Sequence, residues 1–301
     1  MKILSTRRYP GPAFDELHDV EVRSLAELDS PRPDVEGLVV ANEPVPLELL
    51  PGLRVVANFS VGYDRVGVAA CLERGVMVTN TPGVLTNATA DLAFALVLAS
   101  GRQIAVGDRF VRAGSWTGAW SEGELELVEE VSGSTLGIVG LGRIGSAVAR
   151  RAQGFDMRVL YTQRHQVETD LAEFRGLEAL LGEADIVTLH VPLTPETHGL
   201  IDASRLALLR DGSCLVNTAR GEIVEQDALV SELVSGRLRA GLDVFLDEPR
   251  VPPELFGLDN VVLTPHLGSA TRQAREGMTR LVVDNLLAIE RGEPPLTPVR
   301  L

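Results

Sequence analysis

The sequence predicts an α/β protein of two domains with parallel sheets, one of them doubly wound. Three observations carry that reading. Short β-branched runs alternate with helical stretches along most of the chain, the pattern of parallel α/β units. A turn of the form Gly-x-Gly-x-x-Gly, from Gly140 to Gly145, joins one such run to a helix. The 301 residues suffice for two domains of roughly 150 residues each.

In chain order, the first third offers strands at Lys2–Thr6, Gly37–Ala41, Arg54–Asn58 and Val76–Thr79, with helical stretches between them. Thr86 to Gln103 reads as a long helix. Asn87 is its expected N-cap, Asp91 falls in the first turns, and Leu92, Ala95, Leu96 and Ala99 recur at helical spacing. Glu122, Glu124, Glu126, Glu129 and Glu130 then crowd into what reads as a solvated acidic loop. A more regular series follows, with strands at Thr135–Gly140, Met157–Thr162, Ile186–Val191, Ser213–Asn217, Leu238–Val244 and Val261–Leu263. Helices fit between them. Arg272 to Glu290 closes the series as a helix with Met278, Leu281, Val282 and Leu286 on one face.

Composition excludes several chemistries. Among the 28 basic residues Lys2 is the only lysine, and the rest are arginines. Schiff-base catalysis needs a buried lysine amine, and a P-loop needs a lysine in its glycine turn. Lys2, at the head of the first strand, fills neither role. Most of the arginine excess reads as background base composition. A net charge of −14 repels polyphosphate, so nucleic acid and anionic membrane are not expected partners and any phosphate site must be local. Cys71 and Cys214 lie far apart, with no Cys-x-x-Cys and no histidine cluster. Neither a disulfide framework nor a metal site is expected, which fits a cytoplasmic protein. The first ten residues carry no targeting pattern, and the most apolar run, Leu92 to Ala99, is far short of the ~20 residues of a membrane span.

The chemistry begins at Gly140-Leu141-Gly142-Arg143-Ile144-Gly145, which follows Leu136-Gly137-Ile138-Val139 and opens a helix containing Ala147, Val148 and Ala152. The bare glycine spacing is a weak signal. Its setting between strand and helix points to a dinucleotide site, because glycines permit the tight turn and let the backbone approach a pyrophosphate at the helix N-terminus. About 20 residues on, NAD enzymes usually carry an acid for the ribose 2′-hydroxyl. Here Met157-Arg158-Val159-Leu160-Tyr161-Thr162 runs instead into Gln163-Arg164-His165. A missing negative charge beside a guanidinium favours a 2′-phosphate, so NADP(H) is expected ahead of NAD(H), with Arg164 as the ligand.

Three ionisable residues sit just past strand ends: Arg220 after Cys214–Ala219, Glu248 after Leu242–Asp247, and His266 after Val262–Pro265. Ligands of open parallel sheets bind outside the carboxyl ends of the strands. There a guanidinium can grip a carboxylate, an imidazole can pass a proton, and a carboxylate can orient that imidazole and favour its protonated form. Taken singly, each also reads as an ordinary surface charge or loop histidine.

Leu136–Gly145, Asn217-Thr218-Ala219-Arg220-Gly221, Gly241-Leu242-Asp243-Val244-Phe245 with Glu248-Pro249, and Thr264-Pro265-His266-Leu267-Gly268-Ser269-Ala270-Thr271 resemble the D-isomer-specific 2-hydroxyacid dehydrogenases. So do Asn58-Phe59-Ser60-Val61-Gly62-Tyr63-Asp64 and Asn80-Thr81-Pro82-Gly83-Val84-Leu85-Thr86. The likeness runs from about residue 50 onward, in order and at the family's spacing, and is thinner before it. It implies two Rossmann-like domains, with a cofactor domain (98–271) inserted into a substrate domain (1–97 plus 272–301). It also implies that Arg220 binds the substrate's carboxylate and carbonyl, that His266 is the acid/base paired with Glu248, and that the amides around Val61 and Gly62 bind the carboxylate. Asp243 would face the nicotinamide. Gly140, Gly142, Arg143, Ile144, Gly145, Pro192, Thr197, Thr218, Ala219, His266 and Gly268 would line the cofactor. A homodimer pairing through the cofactor domain is expected.

Within the family, Glu248 stands where formate dehydrogenases carry Gln, and the chain leaves no room for the regulatory C-terminal domain of many phosphoglycerate dehydrogenases. Tyr161-Thr162-Gln163-Arg164, Asp108-Arg109-Phe110 with Trp116, and His266–Thr271 are most similar to glyoxylate/hydroxypyruvate reductases. The expected activity is therefore NAD(P)H-dependent reduction of a small 2-oxo acid. A dehydrogenase for another D-2-hydroxyacid or for phosphite, and a cofactor-sensing protein like the C-terminal-binding-protein corepressors, are the alternatives. Ser134, where relatives often have Lys, and the glutamate-rich loop depart from the family pattern at positions read as surface. Trp116 and Trp120 read either as borders of a partner's active site or as packing in a dimer arm.

Overall fold

The computed structural model describes residues 1–118 and 125–300, so Trp120, Glu122 and Glu124 lie outside the described residues. Two compact units emerge, Met1–Leu85 with Ser269–Leu301, and Thr86–Gly268, so the second is inserted into the chain of the first.

The first unit is built on β1 (Ile3–Ser5), β2 (Val20–Val22), β3 (Gly37–Val40), β4 (Val55–Asn58) and β5 (Met77–Thr79), with helix α1 (Val68–Glu73) between β4 and β5. The sheet runs β2-β1-β3-β4-β5 and every pairing is parallel. β3 and β4 are buried at each position, as expected where both faces of a parallel sheet are covered. Leu4, Leu38, Val56, Val78 and Val299 share its core. Helix Arg272–Glu290 belongs to this unit. Thr271 caps it by accepting from the Ala274 amide at 3.2 Å, and Met278, Val282 and Leu286 of the expected face are buried. β2 was not expected, because its Val-Glu-Val lies at a partly exposed sheet edge and lacks an apolar run.

The second unit contains α2 (Thr86–Gly101), α3 (Ile104–Arg112), β6 (Thr135–Val139), α4 (Arg143–Gln153), β7 (Arg158–Thr162), β8 (Glu173–Phe174), α5 (Leu177–Glu183), β9 (Ile186–Leu189), α6 (Ala203–Leu206), β10 (Cys214–Asn217), α7 (Gln226–Val234), β11 (Arg239–Leu242) and β12 (Val261–Leu263). Its parallel sheet runs β12-β11-β10-β9-β6-β7-β8. The order reverses at β6, which pairs with both β7 and β9, so a doubly wound sheet has its switch point beside the glycine turn. One face buries Leu160, Leu180, Val187, Leu215 and Leu233, the other Ala93, Phe94, Val97, Ala147 and Val148.

Two expectations need correction. The junction expected at 97/98 would cut α2, but the division falls at Leu85/Thr86 and again at Gly268/Ser269. The reason is packing: Ala90, Ala93, Phe94 and Val97 of α2 are buried with α4, and the rings of Phe94 and Phe155 lie 5.0 Å apart. The long helix expected to Gln103 also ends at Gly101; Gln103 turns to φ +50° and α3 leaves in a new direction, bent by 64°. α2 starts at Thr86, so Asn87 sits inside the first turn. No single helix among the described residues is long and apolar enough to cross a membrane.

Candidate active site

Local sterics explain the glycine turn between β6 and α4. Gly140 has φ +98°, which favours glycine, and an added Cβ would lie 2.8 Å from the His190 carbonyl oxygen. At Gly145 a Cβ would fall 2.1 Å from the Gly140 oxygen, so the helix can approach the strand this closely only without a side chain. Gly142 differs, because nothing lies within 4 Å of where its Cβ would be. It is the N-cap of α4, no side chain caps the helix, and Arg143 and Ile144 follow in the first turn. An uncapped helix start behind an open glycine is what a pyrophosphate requires.

Neighbouring strand ends extend the cradle. The Gln163 side chain accepts from the Leu141 amide at 3.2 Å, tying the end of β7 to the glycine turn. Arg164 is exposed, and its charge reaches the Glu196 carboxylate. Beyond β9, the Thr197 hydroxyl donates to the Pro192 carbonyl at 2.6 Å and accepts from the Thr194 amide at 2.8 Å, closing that loop. Beyond β10, the Thr218 hydroxyl is buried without a hydrogen-bond partner, and Ala219 is partly exposed. The open glycine, uncapped helix and orphaned hydroxyl together fit a dinucleotide.

Three turns bring the ionisable trio together. The Asn217 amide folds the first, accepting from the Ala219 N–H at 3.0 Å and donating to the Arg220 carbonyl at 2.8 Å. Gly221 presses this turn on the next so closely that a Cβ would lie 2.1 Å from the Phe245 carbonyl carbon. Glu248 Oε1 accepts from the Phe245 amide at 3.1 Å, and Oε2 lies 2.7 Å from His266 Nδ1. Burial pushes the Glu248 carboxyl up, but the hydrogen bond and charge of His266, with help from the Phe245 amide and the charge of Arg220, hold it below the usual range. The imidazole is about half exposed, at 48% of its side-chain surface, and with Nδ1 engaged its Nε2 is the group left to act.

Asp243 builds the turn that presents His266. Its carboxylate is fully buried, Oδ1 accepting from the Thr264 hydroxyl (2.6 Å) and the Leu267 amide (2.7 Å), Oδ2 from the Gly268 amide (2.9 Å). Burial raises its pKa against these bonds. The Asp243 carbonyl accepts from the His266 amide at 2.9 Å, and His266 itself has φ +53°, a region that β-carbon-bearing residues seldom adopt. The residue expected to face the nicotinamide thus spends both oxygens on its own chain, as Gly268 does its amide.

Val61 and Gly62 lie in the other unit, just past β4. Among the described residues, no three or more His, Cys, Asp or Glu could hold a metal ion. Burial pushes the Cys214 thiol up to about 12, so it is no nucleophile near neutral pH.

Residues 94–268 match the family model for the D-isomer-specific 2-hydroxyacid dehydrogenase, NAD-binding domain. The chain belongs to the D-isomer-specific 2-hydroxyacid dehydrogenase family. This dehydrogenase is therefore an oxidoreductase with a nicotinamide cofactor. It is 49% identical to a glyoxylate reductase of Pyrococcus horikoshii, over 99% of this chain and 95% of that one. Among solved structures it resembles a protein of Thermus thermophilus (45% identity, TM-score 0.92, all of both chains). It also resembles an NADPH-dependent glyoxylate/hydroxypyruvate reductase of Sinorhizobium meliloti in complex with NADP and malonate (37% identity, TM-score 0.91, 99% of this chain and 96% of that one).

Sequence reasoning missed Gln163 and Asn217, which shape the dehydrogenase's turns through side-chain bonds to backbone. Their only signal was an amide-bearing residue at a strand end, which most turns share.

Proposed function

We propose that this dehydrogenase reduces glyoxylate and hydroxypyruvate to the 2-hydroxy acids, uses NADPH ahead of NADH, and works in the cytoplasm as a homodimer. The observation carrying the reading is the 2.7 Å contact of His266 with Glu248, whose carboxylate also feels the charge of Arg220. The glyoxylate reductase and glyoxylate/hydroxypyruvate reductase likenesses support the substrate class.

In this reading the Arg220 guanidinium grips the substrate's carboxylate and polarises its carbonyl. The Val61 and Gly62 amides give that carboxylate a second hold. A cofactor held at Gly140, Gly142, Arg143, Ile144 and Gly145, with Thr218 and Ala219 alongside, supplies hydride. Glu248 keeps the imidazole oriented and stabilises the positive charge of its protonated form, and His266 Nε2 releases its proton to the developing alkoxide. Arg164 would take the 2′-phosphate, since β7 ends without a carboxylate. For the dimer, α3 buries none of its residues and leaves Ile104 and Val111 more than half exposed, with Trp116 nearby in sequence.

Following NADPH and NADH oxidation with glyoxylate, hydroxypyruvate, pyruvate and phenylpyruvate tests the reading. Turnover should be best with the first two. No turnover with any would replace it by cofactor sensing, and an NADH preference would remove Arg164 from it.

A further inference from the structure

The loop Ser60–Gly62 has all three of its carbonyls drawn into the protein. The Ser60 oxygen accepts from the Thr81 amide at 3.0 Å and from Asn58 Nδ2 at 3.4 Å. The Val61 oxygen accepts from Asn80 Nδ2 at 2.9 Å, and the Gly62 oxygen from Asn58 Nδ2 at 2.8 Å. In a planar trans peptide the N–H points opposite to the preceding carbonyl. Holding the Ser60 and Val61 oxygens therefore aims the Val61 and Gly62 N–H groups the other way. Among the described residues neither amide donates to an acceptor. Two successive N–H groups left like this form an anion-binding concavity.

The clamp has its own support. Asn58 is fully buried, and its Oδ1 accepts from the Asn42 amide at 2.7 Å, which fixes which way its amide donates. Asn80 is gripped by a residue near the far end of the chain: its amide donates to the Thr297 carbonyl at 3.3 Å and its carbonyl accepts from the Thr297 hydroxyl at 2.7 Å. Asn285, fully buried on the helix Arg272–Glu290, orients that hydroxyl by donating to it at 2.9 Å, and accepts from the Thr297 amide at 3.0 Å. The segment is stitched to β5 by the Val299 amide on the Val78 carbonyl at 2.8 Å.

The geometry points to Asn80 as a positioning residue for the substrate's carboxylate, set in place by a relay from Asn285 through Thr297. Residues near the end of the chain thereby tune substrate affinity without touching substrate. This rests on the reading of Val61 and Gly62 as carboxylate ligands. The relay lies wholly within the first unit, so cofactor affinity should not sense it.

The test is a steady-state series on the whole protein. Asn80→Asp keeps the shape but loses the donor and sets a charge against the Val61 carbonyl. Its KM for glyoxylate should rise at least tenfold, with kcat within about threefold and NADPH affinity unchanged. Thr297→Val should give the same pattern at two- to fivefold, and Thr297→Ser should restore the wild-type KM, which a role in general stability would not require. Asn80→Ser serves if Asn80→Asp does not fold. Glyoxylamide, which lacks the carboxylate, should show no KM change in any variant. Wild-type KM for glyoxylate in folded Asn80 and Thr297 variants would overturn the inference, as would equal changes for glyoxylate and glyoxylamide. Gly62→Pro, which deletes one amide hydrogen, separates the two levels. Raised KM there with unaltered Asn80 variants defeats the clamp alone, and unaltered KM in both defeats the carboxylate reading and the clamp with it.

Discussion

His266 Nδ1 and Glu248 Oε2 lie 2.7 Å apart, and the Glu248 carboxyl is held below its usual range despite burial. Glu248 is therefore ionised through the neutral range and stabilises an imidazolium, so reduction consumes a proton that this pair holds. The kcat/KM for reduction should fall as pH rises and the pair gives up that proton, while oxidation of the hydroxyacid rises. Glu248→Gln should lower reduction by about 100-fold and move both profiles to lower pH, because the charge that favours the protonated pair is gone. A wild-type profile flat from pH 6 to 9 would be incompatible with His266 as the proton donor.

Gly145 sits against Gly140 with no room for a methyl group, since its Cβ would be 2.1 Å from the carbonyl oxygen. Gly145→Ala must push α4 away from β6, at a cost of about 1–3 kcal/mol by overpacking. The melting temperature should drop and cofactor affinity should fall at least tenfold, measured by quenching of protein fluorescence. An alanine variant with wild-type cofactor affinity would show that the turn does not approach the ligand. Gly142→Ala, with open space at its Cβ, should leave stability nearly unaltered yet still weaken cofactor binding.

Asp243 accepts two backbone N–H groups and a hydroxyl around His266. Asp243→Asn would turn an amide donor toward one of those donors and leave it unpaired, costing about 1–3 kcal/mol. Because the bonds stabilise a positive-φ histidine, kcat should fall by orders of magnitude while NADPH affinity changes less. If cofactor affinity collapses instead and kcat at saturation is normal, Asp243 serves the nicotinamide and not the turn.

Burial depresses the pKa of His190 to about 4, against an ordinary value near 6.5. The unfolded chain takes up its proton near 6.5 and the folded protein only near 4, so stability present above that upper value is lost as pH falls between them. With His190 half-buried as a residue, the loss should be about 1–3 kcal/mol. His190→Gln should therefore show a smaller fall in melting temperature from pH 7 to 4.5 than the wild type. Glu248 adds to the acid loss, since its pKa is lowered, whereas the raised pKa of Asp243 opposes it.

The glycine turn was legible in the chain from its setting between strand and helix, whereas the roles of the ionisable trio came from the family resemblance. Gly140, Gly142 and Gly145 stand where a strand must turn into a helix without side chains, and Arg220, Glu248 and His266 stand past the ends of parallel strands. Elements read poorly where local pattern was weak. β2 and β8 are short edge strands, and the break at Gln103 interrupts a stretch that is continuous in helical propensity.

By itself, then, the sequence determined the α/β alternation, the dinucleotide turn and the residue types available for proton transfer and carboxylate binding. Each is a consequence of periodicity or of a side chain's own chemistry. Tertiary structure decided the rest: that α2 belongs wholly to the second unit, that Asp243 serves the His266 turn, and that Asn285, Thr297 and Asn80 line up behind Val61. Those relationships join residues far apart in the chain through hydrogen bonds a few ångströms long. No local pattern encodes such a distance, because it exists only once packing has brought the segments together.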